Sequence, residues 1–218
     1  MAQSIYQKKL DELLIQLKNT NQKPSLLLHA CCGPCSSYVL EYLSKFFNIT
    51  VFYYNPNIYP PEEYYRRLNE LKTFYPKFEP AKNINIIEET YNPEDFYSAV
   101  NTRKEPELAL EPEKGERCRR CYEFRLKKSL DYAIANHFDY FCTTLSISPF
   151  KDAEKINTIG FALEEQIKQS TQNESDIKWL PSDFKKKGGF KRSLELSQEY
   201  NLYRQQYCGC IYSMNNKK

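Results

Sequence analysis

The stretch Ser25-Leu-Leu-Leu-His-Ala-Cys-Cys-Gly-Pro-Cys35 decides how this chain folds. Its first part, Ser25–Ala30, has the short apolar run of a buried strand, and Cys35–Phe46 carries apolar residues at helical spacing. In nucleotide-binding α/β proteins this kind of strand-to-helix turn holds a glycine-rich loop that cradles phosphate. Here the turn holds three thiols at a helix N-terminus, where the helix dipole and the free amides favour thiolates.

Outward from this turn, short apolar runs alternate with helical segments. Further strands are predicted at Ile49–Tyr54, Ile84–Glu88, Phe138–Thr144 and Ile177–Leu180. Further helices are predicted at Pro61–Phe74, from a cap at Asn92 through Val100, and at Arg119–Asn136, Asp152–Gln169 and Ser193–Tyr200. The polar stretch Thr102–Gly115 is predicted to be a mobile loop. This order predicts an α/β fold with a mostly parallel sheet and helices on both faces.

A sheet of this kind places its working groups beyond the carboxyl ends of its strands. His29-Ala-Cys-Cys32 follows the first predicted strand, Asn55-Pro-Asn57 follows the second, and Thr143–Ser146 follows the fourth. We therefore expect these three segments to converge on one rim. His29 itself has two interpretations, because a histidine at a strand end is more often a hydrogen-bonded core residue than a catalyst.

Length and composition suit one domain with a buried core, since 41% of the 218 residues are hydrophobic and 27% are charged. Apolar residues at helical spacing before Asn19 predict that residues 1–23 are an N-terminal helical extension. Residues 24–218 are then predicted to form a single α/β domain. The chain shows neither an apolar run of membrane-spanning length nor a secretory signal, so we expect a soluble, cytoplasmic protein with no membrane partner.

The eight cysteines are the unusual part of the composition, because seven of them fall into three tight clusters. A disulfide scaffold would spread its cysteines through a short secreted chain. In a reducing compartment, clustered thiols indicate metal or redox chemistry. Cys142 stands alone on a predicted strand and is interpreted as a core residue, since a free cysteine packs as a small hydrophobe.

Two of the clusters supply four thiols suited to one metal site. The adjacent pair Cys31 and Cys32 fits a multinuclear cluster more easily than one tetrahedral ion. The C-x-x-C motif at Cys118 and Cys121 is half a metal site, with a redox dithiol or a structural half-site as the alternatives. On ligand count alone, the four thiolates suit zinc and a [4Fe–4S] cluster equally well.

The third cluster, Cys208-Gly-Cys210, has a spacing that can close into a small, strained disulfide suited to redox exchange. A further metal pair or an inert tail are its alternatives.

Basic residues give a weaker signal. The net charge of +3 does not by itself indicate nucleic-acid binding. The segment Lys185–Arg192 carries five positive charges in eight residues, which fits a solvated loop and a phosphate-binding patch about equally well.

With these residues in hand, the chain resembles the epoxyqueuosine reductases of the QueH type from about Ser25 to Tyr212. Six ordered motifs carry the resemblance: His29-x-Cys-Cys-x-Pro-Cys35, Tyr54-Asn-Pro-Asn57, Arg117-Cys-x-x-Cys-Tyr122, Thr143-Thr-Leu-x-Ile-Ser-Pro149, Asp183-Phe-Lys-Lys-Lys187 and Tyr203-Arg-Gln-x-Tyr-Cys-Gly-Cys210. Two departures are small, since Gly33 stands where the family usually has Ala and Cys142 where Thr is common. Neither changes a ligand that the resemblance implies.

The resemblance implies a HUP-type α/β fold, related to the adenine nucleotide alpha-hydrolase domains but without their phosphate loop. It implies that residues 24–218 form the catalytic domain, with a [4Fe–4S] cluster held by Cys31, Cys32, Cys118 and Cys121. An additional iron ion is an open alternative beside the cluster. Cys208 and Cys210 would be the catalytic, redox-active pair.

The implied reaction is the reductive removal of the epoxide oxygen from epoxyqueuosine in the anticodon loop of tRNA, which gives queuosine and needs an external electron donor. The tRNA contacts would come from the basic residues Arg119, Arg120, Lys185, Lys186 and Lys187. Two rival functions remain open at this point, namely a cluster-dependent tRNA sulfurtransferase and a zinc-bound RNA-binding module.

Overall fold

A computed structural model describes residues 4–169 and 175–214. Its elements follow in the order α1 (Ile5–Thr20), β1 (Ser25–His29), α2 (Gly33–Leu43), β2 (Asn48–Tyr53), α3 (Pro61–Phe74), β3 (Asn85–Glu88), α4 (Pro93–Val100), α5 (Glu107–Leu110), α6 (Glu116–Ala135), β4 (Tyr140–Thr143), α7 (Ala153–Gln169), β5 (Lys178–Trp179), α8 (Gly189–Glu199) and α9 (Ile211–Met214).

Within the described residues the five strands form one parallel sheet in the order β3-β2-β1-β4-β5. The predicted α/β class with a parallel sheet is therefore confirmed. The strand order reverses between β1 and β4, where His29 pairs with Thr143. The crevice beyond the carboxyl ends of the strands at such a reversal is where open α/β sheets bind ligands.

Helices cover both faces of the sheet, which explains why β1 reads as an unbroken apolar run. Leu26, Leu27 and Leu28 have no solvent-exposed surface. On one face, β1 packs with α1, α2, α3 and α8 in one cluster of buried side chains. On the other face, Leu27 packs with α6 and α7. The sheet therefore holds the turn after β1 from both sides.

Helix α1 packs against the main core. Its apolar face buries Leu10, Leu14 and Leu17 in the same cluster as Leu26 and Leu28 of β1. The division into a 1–23 extension and a 24–218 domain stays a prediction.

The structure differs from the sequence prediction in the segment before α6. The stretch predicted as a loop, Thr102–Gly115, contains the short helix α5, and the buried Arg117 guanidinium donates hydrogen bonds to two of its carbonyl oxygens. Helix α6 begins at Glu116, three residues earlier than predicted. Both Cys118 and Cys121 therefore lie near its N-terminus. The predicted cap at Asn92 is confirmed, because its side chain accepts a hydrogen bond from the backbone N–H of Glu94.

None of the helices in the described parts of the chain is both long and apolar enough to cross a membrane.

Candidate active site

The three segments predicted to converge do meet at the crevice. Nδ1 of His29 lies 2.8 Å from Oγ1 of Thr143, which joins the ends of β1 and β4. The side-chain amide of Asn55, just after β2, donates a hydrogen bond to the carbonyl oxygen of Ala30 at 2.9 Å. The carboxyl ends of three neighbouring strands are thus tied together by buried polar contacts.

The turn after β1 gathers three thiols. The Sγ atoms of Cys31, Cys32 and Cys35 all lie within 4.8 Å of one another, which is close enough for a shared metal. Hydrogen bonds from Cys32 and Cys35 lower the pKa of the Cys31 thiol well below its usual value, and the Arg125 guanidinium acts in the same direction. The turn therefore favours the thiolate form of Cys31, although burial by itself would raise the pKa of this thiol.

Helix α6 brings the C-x-x-C thiols to the same crevice. Cys118 packs in one cluster of buried side chains with Cys31 and Cys32, although its Sγ lies outside their 4.8 Å group. Nη1 of Arg125 lies 4.0 Å from Sγ of Cys121. Burial raises the pKa of Cys121 to about 12 and raises that of Cys118. Both thiols need a cation or a metal to become thiolates.

Whether these thiols fit a metal group can be judged from the buried positive charges around them. Arg67, Arg117, Arg125 and Lys151 are each at most 6% exposed. Among the described residues, only Arg67 has a carboxylate partner, Oε1 of Glu63 at 2.7 Å. A buried cation without an anion costs several kcal/mol. A thiolate-ligated metal group carries the negative charge that these side chains lack, so the residues present fit such a group.

The C-terminal C-x-C turn lies against α3. Nη1 of Arg67 donates a hydrogen bond to the carbonyl oxygen of Cys208 at 3.2 Å, and the backbone N–H of Tyr59 donates to the carbonyl oxygen of Gly209 at 2.8 Å. Gly209 has a φ of 131°, a conformation that favours glycine. Cys210 is buried beside Cys121 in a small apolar cluster. The turn thus places both of its thiols near the other clusters.

An open cleft of about 1260 Å³ connects these parts. Cys31, Cys35, Arg125, Lys151 and Cys208 all line it. The cleft therefore exposes thiols from the first and third clusters to one volume, into which a substrate can enter.

Two large apolar side chains stand out on the rim of this cleft. Leu110 is 88% exposed and Phe150 is 65% exposed, and both line the opening. Lys114 and Arg204 line the same volume. Exposed apolar surface beside cations is typical of sites that hold splayed bases and their phosphates.

Comparison with known proteins identifies the family. A family model described as epoxyqueuosine reductase QueH matches residues 26–216. The chain belongs to this family. It is 42% identical over 193 residues to the epoxyqueuosine reductase QueH of Streptococcus pyogenes serotype M1, covering 88% of this chain and 71% of that protein.

More distant QueH relatives match over similar lengths. The protein of that name from Staphylococcus epidermidis is 38% identical over 210 residues, covering 95% of this chain and 84% of the relative. The one from Thermotoga maritima is 30% identical over 200 residues, covering 89% and 92%. The QueH resemblance drawn from the six motifs is therefore confirmed.

Two of the basic residues that were predicted to contact tRNA already form ion pairs within the protein. Arg119 pairs with Glu116 and Glu123, and Arg120 pairs with Glu105 and Glu116. These contacts place both arginines in a salt-bridge network on α6.

The Lys185–Lys187 segment is also partly neutralised. Lys185 pairs with Asp183 at 2.8 Å, and Lys187 pairs with Asp11 of α1. Within the described chain, Lys186 forms no ion pair, so it is the member of the segment whose charge is free for a phosphate.

The structure also places Cys142, which was predicted to be a core residue, and His29, for which the sequence left two interpretations. Cys142 is fully buried on β4, with its Sγ 3.3 Å from the carbonyl oxygen of Leu180, as predicted for a core residue. His29 is fully buried, and burial together with the Arg125 charge lowers its pKa to about 3. His29 is therefore neutral at physiological pH and acts as a structural link between strands.

Sequence reasoning missed three of the buried cations, namely Arg67, Arg125 and Lys151. Arg125 lies four residues after Cys121, so the spacing on one helix could have pointed to it. No comparable sequence signal marks Arg67 or Lys151, because lysine and arginine side chains are expected to be exposed to solvent. Their place beside the thiols follows only from the packing of distant segments.

Proposed function

We propose that this chain is an epoxyqueuosine reductase that removes the epoxide oxygen of epoxyqueuosine in the anticodon loop of tRNA, giving queuosine. The observation that supports this best is the meeting of three thiol segments at one cleft. Cys31 and Cys208 line the cleft, and Cys210 packs against Cys121 behind it. An epoxide reduction needs an electron source beside an open volume, and this arrangement supplies both.

The cofactor in this proposal is a [4Fe–4S] cluster held by Cys31, Cys32, Cys118 and Cys121. When bound, such a cluster supplies one-electron transfer and electrophilic iron. Support for this assignment comes from the shared burial of three of these thiols and from the Arg125 contact to the fourth. Cys35 is left over and is the thiol that would hold the additional iron ion.

Removing an epoxide oxygen as water takes two electrons and two protons. In this proposal, Cys208 and Cys210 supply two electrons when their sulfurs join in a disulfide, and an external donor restores the dithiol. The buried Arg125 and Lys151 charges stabilise negative charge that develops in the cleft as the carbon–oxygen bond breaks. His29 does not deliver a proton, because its neutral ring is fully engaged between Thr143 and the carbonyl oxygen of Tyr54.

The tRNA interface in this proposal includes the cleft rim and the basic segment. Phe150 presents an aromatic ring on which an unpaired base of the anticodon loop can stack, and Leu110 presents apolar surface on the same rim. Lys186 contributes a free positive charge. Arg119 and Arg120 contribute by exchanging one of their carboxylate partners for phosphate. Residues 24–218 act together as the catalytic domain.

The rival sulfurtransferase is disfavoured by the N-terminus of α2. Such an enzyme activates its substrate with ATP, and a phosphate would sit at this helix end. A Cβ placed on Gly33 would fall 2.8 Å from Oε2 of Glu70, so a carboxylate lies against the helix end. A negative side chain at that position repels phosphate.

The experiment that tests the proposal is turnover of epoxyqueuosine-bearing tRNA by anaerobically purified, iron-loaded protein, with the nucleosides read by mass spectrometry. We expect conversion to queuosine with a chemical reductant and without ATP. Sulfur incorporation that requires ATP would support the sulfurtransferase. Zinc in place of iron, together with tRNA binding and no conversion, would support the RNA-binding module.

A further inference from the structure

Lys151 is a buried ammonium whose partner is a sulfur. It lies in the loop between β4 and α7, is 6% exposed, and its Nζ donates a hydrogen bond to Sγ of Cys208. Among the described residues no carboxylate forms an ion pair with it. Since an ammonium buried without an anion is costly, the Cys208 sulfur is the group that can supply the compensating negative charge.

The two cysteines of the C-x-C turn have different surroundings. Cys208 is partly exposed and lines the cleft. Cys210 is 7% exposed, packs against Phe96, and has its Sγ 3.5 Å from Oγ of Ser213. The pair is therefore asymmetric, with one sulfur facing an ammonium and the cleft and the other enclosed among neutral groups.

Other ionisable groups face this pair from the elements packed around it. From α6 and α3 they are Cys118, Cys121, Tyr122, Arg125 and Arg67. Arg67 bonds the backbone oxygen of Cys208, and Arg125 bonds Sγ of Cys121. Within the described chain, Lys151 is the cation that touches Sγ of Cys208.

We propose that Lys151 is a positioning residue that holds Cys208 as the thiolate of the redox pair and makes it the sulfur that exchanges with an external dithiol. This inference rests on the proposed function only in taking Cys208 and Cys210 as a redox pair. Cys210 is then the enclosed partner, which closes and opens the disulfide without meeting the donor.

The chemistry balances in both directions. In turnover, the Cys208 thiolate and the Cys210 thiol form one S–S bond and release one proton and two electrons. Those electrons, the released proton and a second proton taken up from water convert the epoxide oxygen to water. In recovery, a thiolate of a small dithiol attacks Sγ of Cys208, and Cys210 leaves and takes up a proton. The donor's second thiolate then attacks the donor's first sulfur, and Cys208 leaves as a thiolate paired with Lys151.

The test measures how fast each cysteine of the pair is alkylated as pH changes. Reduced, iron-loaded protein is treated with iodoacetamide without tRNA, and peptide mass spectrometry follows Cys208 and Cys210 separately. We expect Cys208 to react first at pH 7. In Lys151→Met, alkylation of Cys208 should slow, because its sulfur loses the ammonium that donates a hydrogen bond to it. At pH 7 its rate should fall about three- to tenfold, because the smaller thiolate fraction is partly offset by higher nucleophilicity.

Two further variants complete the design. Lys151→Arg keeps the charge and should restore most of the wild-type profile. Lys155→Met removes a lysine four residues along, whose Nζ bonds the carbonyl oxygen of Lys114, and should leave the profile unchanged. Iron content is measured in each variant to check that the protein remains loaded.

An unchanged Cys208 profile in Lys151→Met, or a Cys210 that reacts first in the wild type, would overturn the inference. The wild-type comparison stands even if the Met variant does not fold. Because the assay contains no tRNA, its outcome is separate from that of the proposed function. Loss of epoxyqueuosine turnover with an intact alkylation profile would count against the function alone.

Discussion

The side-chain amide of Gln205 donates a hydrogen bond to Sγ of Cys32 at 3.0 Å, although the two residues lie 173 positions apart. This contact ties the segment before the C-x-C turn directly to the thiol turn after β1. A single polar bond thereby connects the redox pair with the proposed cluster ligands. Burial raises the pKa of the Cys32 thiol, and a hydrogen bond donated to its sulfur acts against that effect.

Cys118 and Cys121 are the sharpest test of the ligand set. Replacing either with Ala should release iron and acid-labile sulfide from anaerobically purified protein, because one of four proposed thiolates is lost. Cys142→Ala is the matched control, since it removes a buried thiol from β4 and should retain both. Metal and sulfide assays report the outcome. Stoichiometric iron and sulfide in both α6 variants would show that the wrong thiols were assigned.

Gly209 tests the geometry of the C-x-C turn. Its φ of 131° is strained for any other residue, and an added Cβ would lie 3.1 Å from Nη1 of Arg67. Gly209→Ala should therefore slow disulfide formation between the flanking cysteines while leaving iron bound. Thiol trapping after air exposure measures this.

The matched control for that variant is Gly188→Ala. Gly188 also has a positive φ, 75°, but no atom lies within 4 Å of an added Cβ. Both variants should lose about 1 kcal/mol of stability from the backbone alone. Equal rates of disulfide formation in the two variants would mean that the turn does not depend on the Arg67 contact.

The basic segment can be tested through the salt dependence of tRNA binding. Neutralising Lys185, Lys186 and Lys187 together should weaken binding and flatten the slope of log affinity against log salt. Since two of the three charges are paired internally, we expect the slope to change by about one phosphate contact rather than three. Lys186→Gln alone should give most of this effect.

The control for the segment lies at the opposite edge of the sheet. Lys82 precedes β3, at the amino ends of the strands, and is exposed. Lys82→Gln should leave the slope unaltered. An unaltered slope in the triple variant would return the segment to the role of a solvated loop.

The charge of Asp11 in α1 is expected to contribute to the stability of the fold. Burial alone would raise its pKa, but hydrogen bonds from Lys187, Gln7 and Tyr42 outweigh burial and lower it. A carboxyl whose pKa is lowered by folding adds stability above its unfolded pKa of about 3.9 and loses it as pH falls through the folded value. Asp11→Asn should therefore cost about 1 kcal/mol at pH 7, and this cost should shrink as pH falls below the unfolded pKa.

Thermal or urea unfolding against pH measures the Asp11 effect. Glu12→Gln is the control, since Glu12 is well exposed and pairs with Lys8 at only 4.0 Å. A cost for Asp11→Asn that stays constant with pH would rule out the charge as its source.

Much of the site could be predicted because parallel strands end at one edge. Once the strands were located, His29, Asn55 and Thr143 had to meet, and they do. The start of α6 could not be predicted in this way. The carboxylate of Glu111, from the preceding loop, accepts a hydrogen bond from the backbone N–H of Arg117 at 2.8 Å and stabilises the earlier start. Local patterns do not show such a contact from outside the helix.

The buried cations mark the other limit of sequence reasoning. Lys151 follows Phe150 in a loop, where a lysine is expected to be solvated. It is buried because the C-terminal turn brings Cys208 to it across 57 positions. The partner that makes its burial tolerable is remote in sequence, so only the folded structure reveals the pair.

The most direct test of the account is a single-turnover experiment on iron-loaded protein. The protein is reduced, freed of reductant under anaerobic conditions and mixed with excess epoxyqueuosine-bearing tRNA, and both queuosine and free thiols are counted. We predict about one queuosine per loaded chain, with the thiols of Cys208 and Cys210 lost together, because one dithiol holds two electrons. Queuosine formed while both thiols stay free, or none formed by loaded protein, would contradict the account.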